Sequence, residues 1–102
     1  MEKTTSYVLS KIAAADVSSI YDYTSSEHGS AQAAKYLEGL EQTLISLSER
    51  PGLGRARTEI RKDLHSFLYE KHTIFYRIMP EQIRIIRILH ARRDMPRWLK
   101  GE

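Results

Sequence analysis

The chain has 102 residues, 41% of them apolar, five glycines, three prolines, no cysteine and a formal net charge of +3. That length supports one hydrophobic core and excludes a second domain, while zero cysteines exclude disulfides, thiol catalysis and cysteine-ligated zinc and suit a reducing compartment such as the cytoplasm. The charge is split: residues 1–49 hold three lysines against seven carboxylates, and residues 50–102 hold thirteen Lys/Arg against six, the footprint of a molecule whose basic side meets a polyanion or an acidic peptide.

After a polar start, Tyr7, Val8 and Leu9 predict a short strand within Ser6 to Leu9. From Ser10 the period changes. Ala13, Val17, Ile20 and Tyr21 fall at i, i+4, i+7 and i+8, which predicts an amphipathic helix ending near Glu27. In His28-Gly29-Ser30 the glycine stops that helix and Ser30 is the expected cap of the next. Leu37, Leu40, Leu44 and Leu47 give the second helix one continuous leucine face, and Arg50-Pro51-Gly52 ends it, since proline disfavours helix at the residue before it. Two helices joined by about three residues lie antiparallel, so residues 10–49 are expected to form a helical hairpin.

Leu53 to Arg61 reads as a basic, irregular connection, followed by strands Leu64 to Tyr69, His72 to Ile78 and Ile83 to His90. Glu70-Lys71 and Met79-Pro80-Glu81 are short enough to be hairpin turns. The last strand is apolar on both faces and therefore central or nearly so. In the tail, residues 91–102, Asp94 is expected to cap a final helical turn that carries Pro96, Trp98 and Leu99. The expected class is α+β, a single domain with a helical hairpin (10–49) on a small, mainly antiparallel sheet (53–90) and a short helical tail.

The longest apolar run, Ile12 to Ala15, is far below the ~18 residues of a membrane span, so no membrane partner is expected. No phosphate loop, dinucleotide fingerprint, His-Glu-x-x-His or Gly-x-Ser-x-Gly is present. His28, His65, His72 and His90 fall on separate elements without a further ligand, so neither a metal nor a cofactor is expected. What remains is Arg77, Arg84, Arg87, His90, Arg92 and Arg93 at or beyond strand ends, cations that can neutralise a phosphodiester beside a histidine that can protonate a leaving oxygen.

Three runs in order carry a resemblance: Gly54-Arg55-Ala56-Arg57-Thr58-Glu59-Ile60-Arg61, His72-Thr73-Ile74-Phe75-Tyr76-Arg77, and Ile88-Leu89-His90-Ala91-Arg92-Arg93-Asp94. Together with Asp16, Ile20 and Tyr23 in the hairpin, they resemble the ParE branch of the RelE/ParE toxins from Tyr7 to Trp98. Asp63 and His65 depart from the glycine and surface arginine common in that family, although Asp63 can still adopt a left-handed turn.

The resemblance implies the RelE/ParE-like fold and a toxin of a bacterial type II toxin–antitoxin pair, neutralised by a small ParD-like antitoxin. It also implies poisoning of DNA gyrase by trapping it on cleaved DNA, without catalysis. RelE-like relatives on the same fold are ribosome-dependent mRNA endonucleases, and in that alternative the catalytic set is Arg77, Arg87, His90 and Arg92. The gyrase reading is preferred because the sheet half has only Lys62 and Lys71 as lysines and its tyrosines, Tyr69 and Tyr76, lie within strands. Arg92, Arg93 and Trp98 are the expected target-binding patch. Tyr21, Tyr36, Leu40, Arg61 and Arg84 are the expected antitoxin contacts, set on the apolar groove of the hairpin and the basic sheet. A helix-turn-helix reading of the hairpin is ranked last, because its acidic charge repels phosphate.

Overall fold

The computed structural model describes residues 6–93 and Met95. Strand β1 (Tyr7–Leu9) runs into α1 (Lys11–His28) and α2 (Ser30–Glu49), and a 3-10 turn at Pro51–Leu53 leads to β2 (Arg55–Ala56). The chain then forms β3 (Leu64–Tyr69), β4 (His72–Ile78) and β5 (Ile83–His90). The five-stranded sheet has the order β1-β5-β4-β3-β2, antiparallel except where β1 pairs parallel to β5. The α+β class, the helical hairpin and the three long strands thus appear as the sequence pattern predicts. Asp94, Pro96, Trp98 and Leu99 of the expected terminal turn lie outside the described residues.

Four local features differ from the sequence reading. The interhelical joint is the single residue Gly29, at φ 92 and ψ 159, a conformation closed to most side chains. Gly29, not Ser30, occupies the cap position; Ser30 is already helical, and no side chain caps α2. The irregular basic stretch contains β2, which escaped the pattern because two residues show no alternation. Position 65 is not a surface site: His65 pairs opposite Tyr76 and stacks on its ring at 5.6 Å.

The cap that sequence periodicity left unremarked is Ser10. Its hydroxyl accepts from the Ala13 amide at 2.9 Å and donates to the Ile86 carbonyl at 2.9 Å, while its own N–H reaches the Ile85 carbonyl. One residue therefore starts α1 and fixes that start to the central strand.

Both helices cover one face of the sheet. Ala13 and Ile20 of α1 and Leu40, Leu44 and Leu47 of α2 bury against Ile74, Tyr76, Ile83, Ile85 and Ile88. A register shift in the β4–β5 pair places Phe75 opposite Arg87 and Tyr76 opposite Ile85, so Ile86 is an extra residue, a β-bulge. The bulge resets the alternation: Ile83 and Ile85 before it and Ile88 after it all face the helices, which is why β5 looks apolar on both sides in sequence. On the other face, Leu64, Phe75 and Leu89 form a second, smaller cluster covered by Ile60, Ile86 and Met95. No helix among the described residues is long and apolar enough to cross a membrane.

Candidate functional site

An apolar concavity lies where α1 and α2 meet β1. Tyr7 and Leu9 of the strand, Val17 of α1 and Ala31, Ala34, Leu37, Leu40 and Leu44 of α2 line a groove of about 600 Å³, rimmed by Lys35, Glu38 and Glu41. The alanines cause it, because short side chains leave α2 low beside the Tyr7 ring. Burial, and then the nearby Glu41 carboxylate, raise the Tyr7 phenol above its ordinary pKa. Leu40 is only 2% exposed, so it forms the floor rather than the wall.

A second cavity of about 560 Å³ opens at the far end of the β4–β5 ladder, where Tyr36 of α2 meets His72 and His90, which pair directly across the strands. Tyr36 Oη accepts from the Lys71 amide at 3.3 Å and lies 2.7 Å from His72 Nδ1. Burial pushes its pKa up to about 12, so the phenol keeps its proton at neutral pH. His90 Nδ1 accepts from the Arg92 and Arg93 amides at 3.1 and 3.2 Å. The two backbone donors occupy the His90 Nδ1 lone pair, and the His72 and His90 rings meet edge to face at 5.4 Å.

Arg87 belongs to a different arrangement. Its guanidinium makes a two-point contact with Asp16 of α1 at 2.9 and 3.1 Å, and the same carboxylate accepts from the Ile88 amide at 2.9 Å. With the carboxylate 14% exposed and the guanidinium 24%, this clasp joins helix to sheet.

The nuclease set suggested by sequence is not assembled. Arg77 and His90 sit at opposite ends of the β4–β5 ladder, because His90 pairs with His72 and Arg77 with Arg84. Five residues of extended chain separate those positions, about 17 Å. They also face opposite ways: His72 and His90 turn toward α2, and Arg77 stands on the helix-free face beside Leu64. Arg92 is exposed beyond β5, and Arg87 is engaged with Asp16. Among the described residues no group of three or more His, Cys, Asp or Glu is placed to hold a metal ion.

The other expected residues divide between surfaces. Arg93 is exposed, its guanidinium 4.8 Å over the Tyr23 ring, a cation–π contact that draws the end of β5 toward α1. Trp98 lies outside the described residues. Among the expected antitoxin contacts, Leu40 lines the groove, Tyr36 lies in the neighbouring histidine cavity, and Tyr21 is 38% exposed on α1. Arg61 and Arg84 are on the helix-free face of the sheet, across the molecule from the groove. Sequence reading missed the Tyr36–His72 bond and the clasp. The only available signal was Asp16, a carboxylate beside the apolar stripe of α1 with an arginine-bearing strand to answer it.

A family model described as the ParE toxin of the type II toxin–antitoxin system parDE matches residues 7–95. The toxin ParE1 of Mycobacterium tuberculosis is 37% identical over 94 residues, 91% of this chain and 96% of the relative. ParE1 of Caulobacter vibrioides is 34% identical over 84 residues, covering 82% and 86%, and the toxin ParE of Escherichia coli is 33% identical over 94 residues, covering 89% of each. A solved chain of the chromosomal ParDE toxin–antitoxin system from P. aeruginosa shares the fold, with a TM-score of 0.74 at 22% identity over 85% of this chain and 96% of that one.

Proposed function

Given that the chain belongs to the ParE toxins of parDE type II toxin–antitoxin systems, we propose that it stalls DNA gyrase on cleaved DNA without catalysis, and that a ParD-like antitoxin holds it inactive through the groove between α1, α2 and β1. The observation that carries the non-catalytic reading is the dispersal of its acid–base candidates. An in-line phosphoryl transfer needs its general acid and its charge-neutralising cations within hydrogen-bond reach of one phosphate, whereas Arg77 and His90 stand about 17 Å apart on opposite faces.

The groove supports the antitoxin reading by its shape and lining. An amphipathic helix lays its apolar residues into a trough of this kind, and the Lys35, Glu38 and Glu41 rim selects its flanking charges. An antitoxin is by nature a small partner that must be removable, which suits a segment that orders on binding.

The test is a gyrase assay on supercoiled plasmid with purified, antitoxin-free protein, scoring covalently trapped linear DNA. Accumulation of linear DNA is expected, and it should vanish on addition of the antitoxin. Folded protein that leaves gyrase untouched but cuts mRNA on the ribosome overturns the reading.

A further inference from the structure

We propose that the helix-free face of the sheet is a binding surface for the phosphate backbone of duplex DNA, separate from the antitoxin groove and independent of any contact with gyrase protein. Three features of this face argue for it.

The first is a concentration of like charge. Arg77 and Arg84 are direct cross-strand partners and project from the same face. Like charges directly opposite are destabilising in a sheet, and the flanking register partners are Leu64 beside Arg77 and Val8 beside Arg84, so no carboxylate stands directly across from either. Arg61 and Lys62 join Arg77 around a cavity of about 360 Å³, with Asp63 the single carboxylate of that lining among the described residues. Arg55 extends the row opposite Ser66, and Arg57, which also reaches Ser66, is balanced by Glu59 at 2.6 Å. An external polyanion relieves this repulsion.

The second feature is what the face lacks. Its apolar centre, Leu64, Phe75 and Leu89, is already covered by Ile60, Ile86 and Met95, which leaves no open apolar trough there among the described residues to seat an amphipathic peptide. Phe75 is fully buried, and the exposed aromatic residues among those described, Tyr21 and Tyr23, are on α1. Single strands are gripped by stacking bases on exposed aromatics, whereas a duplex offers its phosphates without unstacking. Cations without a stacking platform fit the duplex.

The third feature is polarity at the scale of the molecule. Asp22, Glu27, Glu38, Glu41 and Glu49 belong to the hairpin, which covers the opposite face of the sheet, so a phosphate backbone repels one side of the protein and draws in the other.

The experiment is fluorescence anisotropy of a labelled duplex, without gyrase, titrated with the full chain across a salt series. Binding is expected with a log–log salt slope of about −3, the release of counterions from three or four phosphates. The double variant Arg77→Gln/Arg84→Gln should bind at least tenfold more weakly with a slope shallower by about 2, and Lys11→Gln, an exposed α1 cation, should bind as the parent does. Thermal melting of each variant identifies any that fails to fold, and Arg84→Gln alone, expected to lower the slope by about 1, then replaces the double variant. No binding at low salt, unchanged binding by the folded variants, single-stranded DNA bound as tightly as duplex, or a poly-glutamate peptide binding where duplex does not would each overturn the proposal. Because gyrase is absent, failure here leaves the gyrase reading standing, and failure of the plasmid assay leaves this surface standing.

Discussion

Single hydroxyls account for much of how this chain is held together. Ser10 accepts from one helical amide and donates to the carbonyl of the bulged residue Ile86, so Ser10→Ala removes a cap and a helix–sheet tie together. Loss of the cap costs about 1 kcal/mol, and a fall of roughly 4–8 °C in Tm is the expected reading by calorimetry. Tyr76 is wholly buried, and its hydroxyl accepts from the Gly54 amide and donates to the Pro51 carbonyl, fixing the turn that enters the sheet. The tyrosines also set an alkaline limit. Tyr36 has its pKa raised to about 12 by burial, and Tyr7, Tyr69 and Tyr76 are raised for the same reason. A raised folded-state pKa favours the protonated fold, so this contribution is complete below the unfolded value near 10 and is lost as pH climbs toward 12. Urea midpoints should therefore fall between pH 10 and 12, and the fall should be shallower in Tyr36→Phe, which has one phenol fewer to ionise.

Among the elements, β5 organises the rest, with β1 on one edge, β4 on the other and α1 clasped to it through Asp16. Asp16→Asn leaves the Arg87 guanidinium partly buried without its carboxylate, and about 1–3 kcal/mol of stability should be lost in denaturant titration, less than for a fully buried pair because Arg87 is partly solvated. The boundaries of α1 and of the three long strands were legible because each apolar stretch is punctuated by Gly29, Glu70-Lys71 or Pro80. The parallel pairing of β1 with β5 was not, since three residues carry no signal naming a partner more than seventy positions away. Nor was the bulge, because a run of isoleucines reads alike with or without the extra residue. Site residues were less legible than elements: Arg77, Arg87, His90 and Arg92 are a coherent set as residue types, but only the strand register reveals that Arg77 and His90 stand at opposite ends of the β4–β5 ladder.

For the molecule as a whole, the hairpin and the strands make two unlike surfaces, an apolar groove with a mixed-charge rim on one side and a basic sheet on the other. Filling the groove should affect one partner alone. Ala34→Trp, an exposed position on α2 that lines the groove, is expected to weaken antitoxin binding at least tenfold by calorimetric titration while leaving gyrase trapping intact. Equal loss of both would mean that the groove also serves the target. The pairing of Tyr7 with Ile83 and of Asp16 with Ile88 has a further consequence for how the protein comes into being. The first strand has no neighbour until the last has been synthesised, so the nascent chain leaves the ribosome with the leucine face of its hairpin uncovered and its sheet unclosed. The fold can then be completed only once β5 has emerged, and a ribosome that stops short of residue 83 releases a fragment unable to become a toxin.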